Sequence, residues 1–312
     1  LTLPTPMGHA YTLRTNSVGL RSDREYDRTK PAGITRILVL GDSMSAGQFV
    51  DNKYRFTELL ERRNPGVEFV NLSLEGSGSD QQLLLYEHVG CEYEHDAVLF
   101  LPFLQNIRRN MVDARISYDP LTGEQVYLSK PKFMLTDDRL VLTNVPVSRK
   151  RIAVNAAEIS ACFTTDHRQS AAARAKSVLN AWLEKTHVKG ALYEIFPREP
   201  FPEYKDPSSL AWQVMSALVS RLCSLAQGRP VWVVPTFYSA YTIMAMQRNY
   251  LDRFRSIREP NLEVVDLLPD FRQLGAGSAD CFNDPFDCHF SRAGHVLVAD
   301  VLEKRLKHEG LI

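Results

Sequence analysis

The chain has 312 residues, 44% hydrophobic and 24% charged, with 37 Lys and Arg against 37 Asp and Glu. Zero net charge gives no field to draw in nucleic acid or an anionic membrane, and no run approaches the roughly 18 apolar residues of a membrane-spanning helix. The length suits one decorated α/β domain or two smaller ones, and the composition is ordinary for a globular protein.

Residues 1–34, with Pro4, Pro6 and Pro31, read as an irregular lead-in. It is expected to pack on the outside of the domain, because a disordered arm would carry fewer apolar residues. The domain proper is expected over 35–312. Arg36-Ile37-Leu38-Val39-Leu40 is an apolar run fit for a buried parallel strand, 36–41. Gly41-Asp42-Ser43 follows at once, then a segment able to turn helical. A serine at such a strand-to-helix turn has its hydroxyl lifted above the sheet, with its own N–H facing the same space.

Phe56, Leu59 and Leu60 share a helical face that Asn64-Pro65-Gly66 stops. A second strand is expected at 67–71, a helix from about Asp80 to Val89, and a third strand at 96–102. Residues 112–150 break the alternation. Tyr118–Gly123 is turn-like, and short runs at 125–128, 132–135 and 139–142, with Asp137-Asp138 as a hairpin turn, read as a small β insertion. Helices are expected at about 152–161 and 167–186, a short strand at 190–195, and a Pro-rich loop within 188–206. Ala211, Val214, Met215, Leu218, Leu222 and Leu225 form a helical stripe ended by Gly228. Val231–Val234 and Leu262–Val265 are the fourth and fifth strands, and Val298, Leu302 and Leu306 mark a closing helix. No internal repeat or low-complexity segment is present.

This order predicts a flavodoxin-like three-layer α/β/α fold with a central parallel five-stranded sheet plus the β insertion. Sites in such sheets lie at the carboxyl ends of the strands. Ser43, Gly76 and Asn106 each follow a strand end, so one sheet edge collects them. Near the other end, Asp287-Cys288-His289 offers a base and an orienting carboxylate, in the order Ser…Asp…His. Asp284 is a rival acid, and His295 reads as structural.

Gly41-Asp42-Ser43 with Gly47, and Asp287-Cys288-His289 before a final helix, resemble the first and last blocks of the SGNH/GDSL hydrolase family of serine esterases and acyl-ester hydrolases. The resemblance implies a catalytic Ser43, Asp287 and His289. It also implies two middle blocks that each donate to an oxyanion beside the Ser43 N–H. Asn71-Leu72-Ser73-Leu74-Glu75-Gly76-Ser77-Gly78 matches the glycine block, through Gly76 with Gly78 in reserve. Leu104-Gln105-Asn106-Ile107 stands where the family has Asn-Asp, so the amide is Asn106, or Gln105 in its place. The implied activity is cleavage of a carboxylic ester, such as an O-acetyl group on a sugar or small metabolite. Transfer of the acyl group to an acceptor alcohol, and a binding protein that kept the fold, are the alternatives. The partner is then a small-molecule or glycan ester, with no cofactor.

Cys281, Cys288, His289 and His295 lack the paired spacing of a structural zinc site, so no metal is expected. Arg108-Arg109 and Arg149-Lys150-Arg151 read as solvated faces, one of which could steer an anionic substrate. Met244, Met246 and Tyr241 read as core cover. Five cysteines in a chain this long suggest reduced thiols in a cytoplasmic protein, with a Cys281–Cys288 pair left open.

Overall fold

The computed structural model describes residues 1–4, 9–118, 125–150, 197–283 and 289–312. The expected helices at 152–161 and 167–186 and the strand at 190–195 lie outside the described residues, as do Cys162, Asp284, Asp287 and Cys288.

A short antiparallel pair, β1 (Thr2–Pro4) and β2 (Ala10–Thr12), precedes the sheet. The sheet holds β3 (Thr35–Gly41), β4 (Val67–Asn71), β5 (Ala97–Leu101), β10 (Val231–Val233) and β11 (Leu262–Val264). They are all parallel, in the order β11-β10-β5-β3-β4. Ile37, Leu38, Val39 and Leu40 are fully buried, as are Val98 and Leu99. Both faces of β3 and β5 are covered here, which is why Ile37-Leu38-Val39-Leu40 and Ala97–Leu101 read as unbroken apolar runs instead of alternating ones.

Helix α2 (Phe56–Arg63) packs on the closing helix α9 (Arg292–His308). Helix α3 (Ser79–His88) packs on α5 (Leu210–Leu225). The result is a three-layer α/β/α fold. Two hairpins extend it: β6 (Ala114–Tyr118) with β7 (Gln125–Ser129), and β8 (Lys132–Thr136) with β9 (Arg139–Thr143). Asp137 and Asp138 turn the second one, both at positive φ (+48° and +58°), the backbone of a two-residue hairpin turn matched to strand twist.

Between the hairpins, the buried Lys130 forms an ion pair with the fully buried Asp80 in the first turn of α3. Asn144 Nδ2 donates to the Lys130 carbonyl at 2.7 Å. The ion pair pins the insertion to the domain, and the Asn144 bond closes the insertion on itself. On the opposite side, Arg21 of the lead-in donates to the carbonyls of Ala46 (2.8 Å), Gly47 (2.7 Å) and Val50, and Arg24 pairs with Glu61 (3.1 Å). Tyr241 and Met246 are buried, and Met244 packs against the core. Cys91, Cys223 and Cys281 are free thiols. No helix among the described residues is long and apolar enough to cross a membrane.

Candidate active site

The site starts at the carboxyl end of β3. Asp42 caps α1 (Ser43–Ala46): its Oδ1 accepts from the Met44 N–H at 3.0 Å, and its carbonyl accepts from Ala46. Ser43 is the first residue of this helix, so its N–H has no intrahelical acceptor. Gly47 ends the helix at φ +75°, and a Cβ there would lie 2.5 Å from Arg55 Cγ. Both the left-handed backbone and the close approach demand glycine.

His289 arrives from 246 positions away, with Nε2 2.8 Å from Ser43 Oγ. The chain just before it, with Asp287 and Asp284, is outside the described residues. Phe49 backs the imidazole edge-on, with ring centroids 5.1 Å apart and planes at 83°. Phe49 itself has φ +72°, a costly backbone for an aromatic residue. Tyr11 of β2 packs edge-on behind it at 6.0 Å. No sequence signal announced Phe49 or Tyr11; their role arises from the turn after Gly47.

The loop after β4 is lashed to the same strand end. Leu74 N–H (3.0 Å) and Ser77 Oγ (3.4 Å) both donate to the Gly41 carbonyl, two residues before Ser43. Gly76 lies between them at φ +70°, and a Cβ on it would stand 3.6 Å from Arg115 Nη2 of the insertion. Gly78, the reserve candidate, precedes α3, and a Cβ there would meet Asp80 Oδ1 at 2.5 Å.

The loop after β5 carries Gln105 and, as the first residue of α4 (Asn106–Arg109), Asn106. Asn106 is fully buried, and its Nδ2 has no hydrogen-bond acceptor among the described residues. Its Oδ1 accepts from Arg109 Nη1 at 3.3 Å. Gln105 Oε1 accepts from the Tyr238 hydroxyl at 2.8 Å. Ile107 is fully buried in the core.

Arg109 corrects the expectation of a solvated arginine pair. Its side chain is 13% exposed and forms an ion pair at 2.9 Å with Asp42, whose side chain is 0% exposed. Burial pushes the Asp42 carboxyl above its ordinary range, against the opposing pull of Arg109 and of the Met44 N–H. Arg108 pairs with Glu203 at 2.5 Å. Only Arg149 and Lys150 of the other cluster are exposed as expected, Arg151 being outside the described residues.

His295, inside α9, is fully buried and stacks on Phe56 with ring planes 13° apart. Its Nδ1 accepts from the Phe56 N–H at 3.4 Å. Burial pushes its imidazole down to about 3, so it stays neutral at working pH. Among the described residues, no group of three or more His, Cys, Asp and Glu is placed to hold a metal.

No family model and no curated protein matches the chain. Solved structures do. The chain is similar to LAE5, an α/β hydrolase enzyme from the metagenome of Lake Arreo, with TM-score 0.46 at 15% identity over 89% of this chain and 95% of that one. It is similar to the lipase/acylhydrolase from Enterococcus faecalis, with TM-score 0.42 at 13% identity over 88% of this chain and 97% of that one. It is also similar to a two-domain esterase active on acetylated mannans, with TM-score 0.43 at 15% identity over 89% of this chain. The match spans 50% of that two-domain protein.

Proposed function

We propose that the protein is a serine hydrolase that cleaves a carboxylic O-acyl ester, such as an O-acetyl ester of a sugar or small metabolite, through an acyl-enzyme on Ser43. The observation that carries this reading is the 2.8 Å approach of His289 Nε2 to Ser43 Oγ at the carboxyl edge of the sheet. A serine hydroxyl is a poor nucleophile until a base within hydrogen-bond reach accepts its proton.

In the proposed reaction, His289 takes the Ser43 proton as Oγ attacks the ester carbonyl carbon. The carbonyl oxygen becomes an oxyanion, met by the N–H groups of Ser43 and Gly76 and by Asn106 Nδ2. The imidazolium then protonates the departing alcohol as the C–O bond breaks, leaving an acyl ester on Ser43. Water, deprotonated by the same imidazole, attacks that ester, and the acid leaves as Oγ regains its proton. Asp287 is proposed to hold the His289 tautomer, with Asp284 as the rival for that role.

The buried Asn106 Nδ2, with no acceptor among the described residues, supports its role as a donor. A donor left without an acceptor costs about 1–3 kcal/mol, and such a cost is tolerated where a transition state supplies the acceptor.

The test is product analysis with phenyl acetate and with an O-acetylated sugar, with and without an acceptor alcohol. Free acetate in both arms, lost in Ser43→Ala and His289→Ala, is the expected result. Acetyl appearing mainly on the acceptor would turn the reading to acyl transfer. Undiminished turnover in Ser43→Ala would refute the nucleophile.

A further inference from the structure

The three loops that carry the proposed donors meet at a single nitrogen. Arg109 Nη1 donates to Asp42 Oδ2 at 2.9 Å, to the Ser77 carbonyl at 3.3 Å and to Asn106 Oδ1 at 3.3 Å. Asp42 immediately precedes Ser43, Ser77 immediately follows Gly76, and Asn106 is the third donor itself. Nη2 lies 3.5 Å from Gln105 Oε1, and the guanidinium stands 5.6 Å from the centre of the Phe103 ring. A planar, delocalised cation can hold several oxygens in fixed directions, which a lysine ammonium cannot.

The amide of Asn106 has two ends, and only the nitrogen end can donate to an oxyanion. With Oδ1 bound to Arg109, Nδ2 is the end left without an acceptor among the described residues. The Asp42 carboxylate in turn holds Arg109, because a buried charge without its partner is expensive.

Building on the hydrolase reading, we propose that Arg109 is the positioning residue of the oxyanion site. It locks the loops after β3, β4 and β5 in one arrangement and turns the Asn106 amide so that Nδ2 faces the substrate. It touches neither the substrate nor Ser43, so its effect falls on transition-state stabilisation and not on ground-state binding.

The test compares Arg109→Lys, Asn106→Ala and the double variant for hydrolysis of phenyl acetate, after wild-type turnover has been shown to require Ser43. Absence of Ser43-dependent turnover in the wild type would defeat the hydrolase reading itself, before this inference is reached. Arg109→Lys keeps a cation against Asp42 and is chosen for folding. It is expected to keep KM within about twofold while kcat falls about 10²-fold. Adding Asn106→Ala to it should cost little more, since both changes disable the same donor. Full kcat in Arg109→Lys, or losses that multiply in the double variant, would overturn the proposal. Should Arg109→Lys fail to fold, Arg109→Gln paired with Asp42→Asn removes both charges and carries the same kcat and KM comparison, with the same two outcomes.

Discussion

Asn106→Ala separates a functional residue from a structural one, because the proposed role predicts a large fall in turnover with little change in stability. The proposed oxyanion loses one of three donors. A single donor of this kind typically contributes about 2.7–4 kcal/mol to the barrier, or about 10²–10³ in kcat. For folding, the accounts nearly cancel. Losing Oδ1 removes one charge-assisted bond from Arg109, a loss of about 1.5–3 kcal/mol at most, but Arg109 Nη1 keeps Asp42 and Ser77. Losing Nδ2 removes a buried donor that has no acceptor among the described residues, relieving about 1–3 kcal/mol. The net change is expected to stay within about 1 kcal/mol. Urea unfolding gives the stability and phenol release gives kcat. A variant with normal kcat and stability lowered by more than about 3 kcal/mol would show Asn106 holding the fold and not serving the reaction.

Gln105→Ala should lower kcat far less than Asn106→Ala, because Gln105 Oε1 is held by Tyr238; a loss of about 10²–10³ at Gln105 in the same assay would move the donor role there. Lys130→Met leaves the fully buried Asp80 carboxylate without its cation and should cost about 3–5 kcal/mol in urea unfolding, with much of it recovered by adding Asp80→Asn; an unchanged midpoint would mean that the insertion is not pinned there. His295, pushed down to about 3 by burial, is protonated first in the unfolded chain. Its contribution is therefore whole above about pH 6.5 and drains as pH falls toward about 3, at up to about 1.4 kcal/mol per unit. His295→Leu should flatten the fall in stability between pH 6.5 and 5 seen by urea unfolding, and an unchanged slope would remove His295 from that role.

The sheet was legible because each strand carries its own signal. Ile37-Leu38-Val39-Leu40 and Ala97–Leu101 are short apolar runs bounded by turn residues, and burial on both faces writes itself into four or five consecutive side chains. The hairpin turn at Asp137-Asp138 was legible for a similar local reason, since these residues tolerate positive φ. Ser43 and His289 could be picked out because residue type and place in the chain order both point to the same chemistry.

Arg109 could not be read in the same way. Two adjacent arginines shortly before β6 look solvated, and only the closure of the distant loops after β3 and β4 onto α4 buries one of them. Lys130 is similar: its partner Asp80 is 50 positions away, and nothing near either residue marks the pair. Phe49 behind His289 was invisible because an aromatic residue at positive φ contradicts local preference. Such conflicts between local and global demands cluster where a site must be held in one geometry.

Treating the protein with a fluorophosphonate ester and mapping the adduct by mass spectrometry tests Ser43 as the nucleophile. One phosphonyl group per chain is expected, carried by the peptide containing Ser43, absent in Ser43→Ala and formed far more slowly in His289→Ala. An unmodified chain under conditions that label a known serine esterase, or an adduct on another residue, would contradict that role.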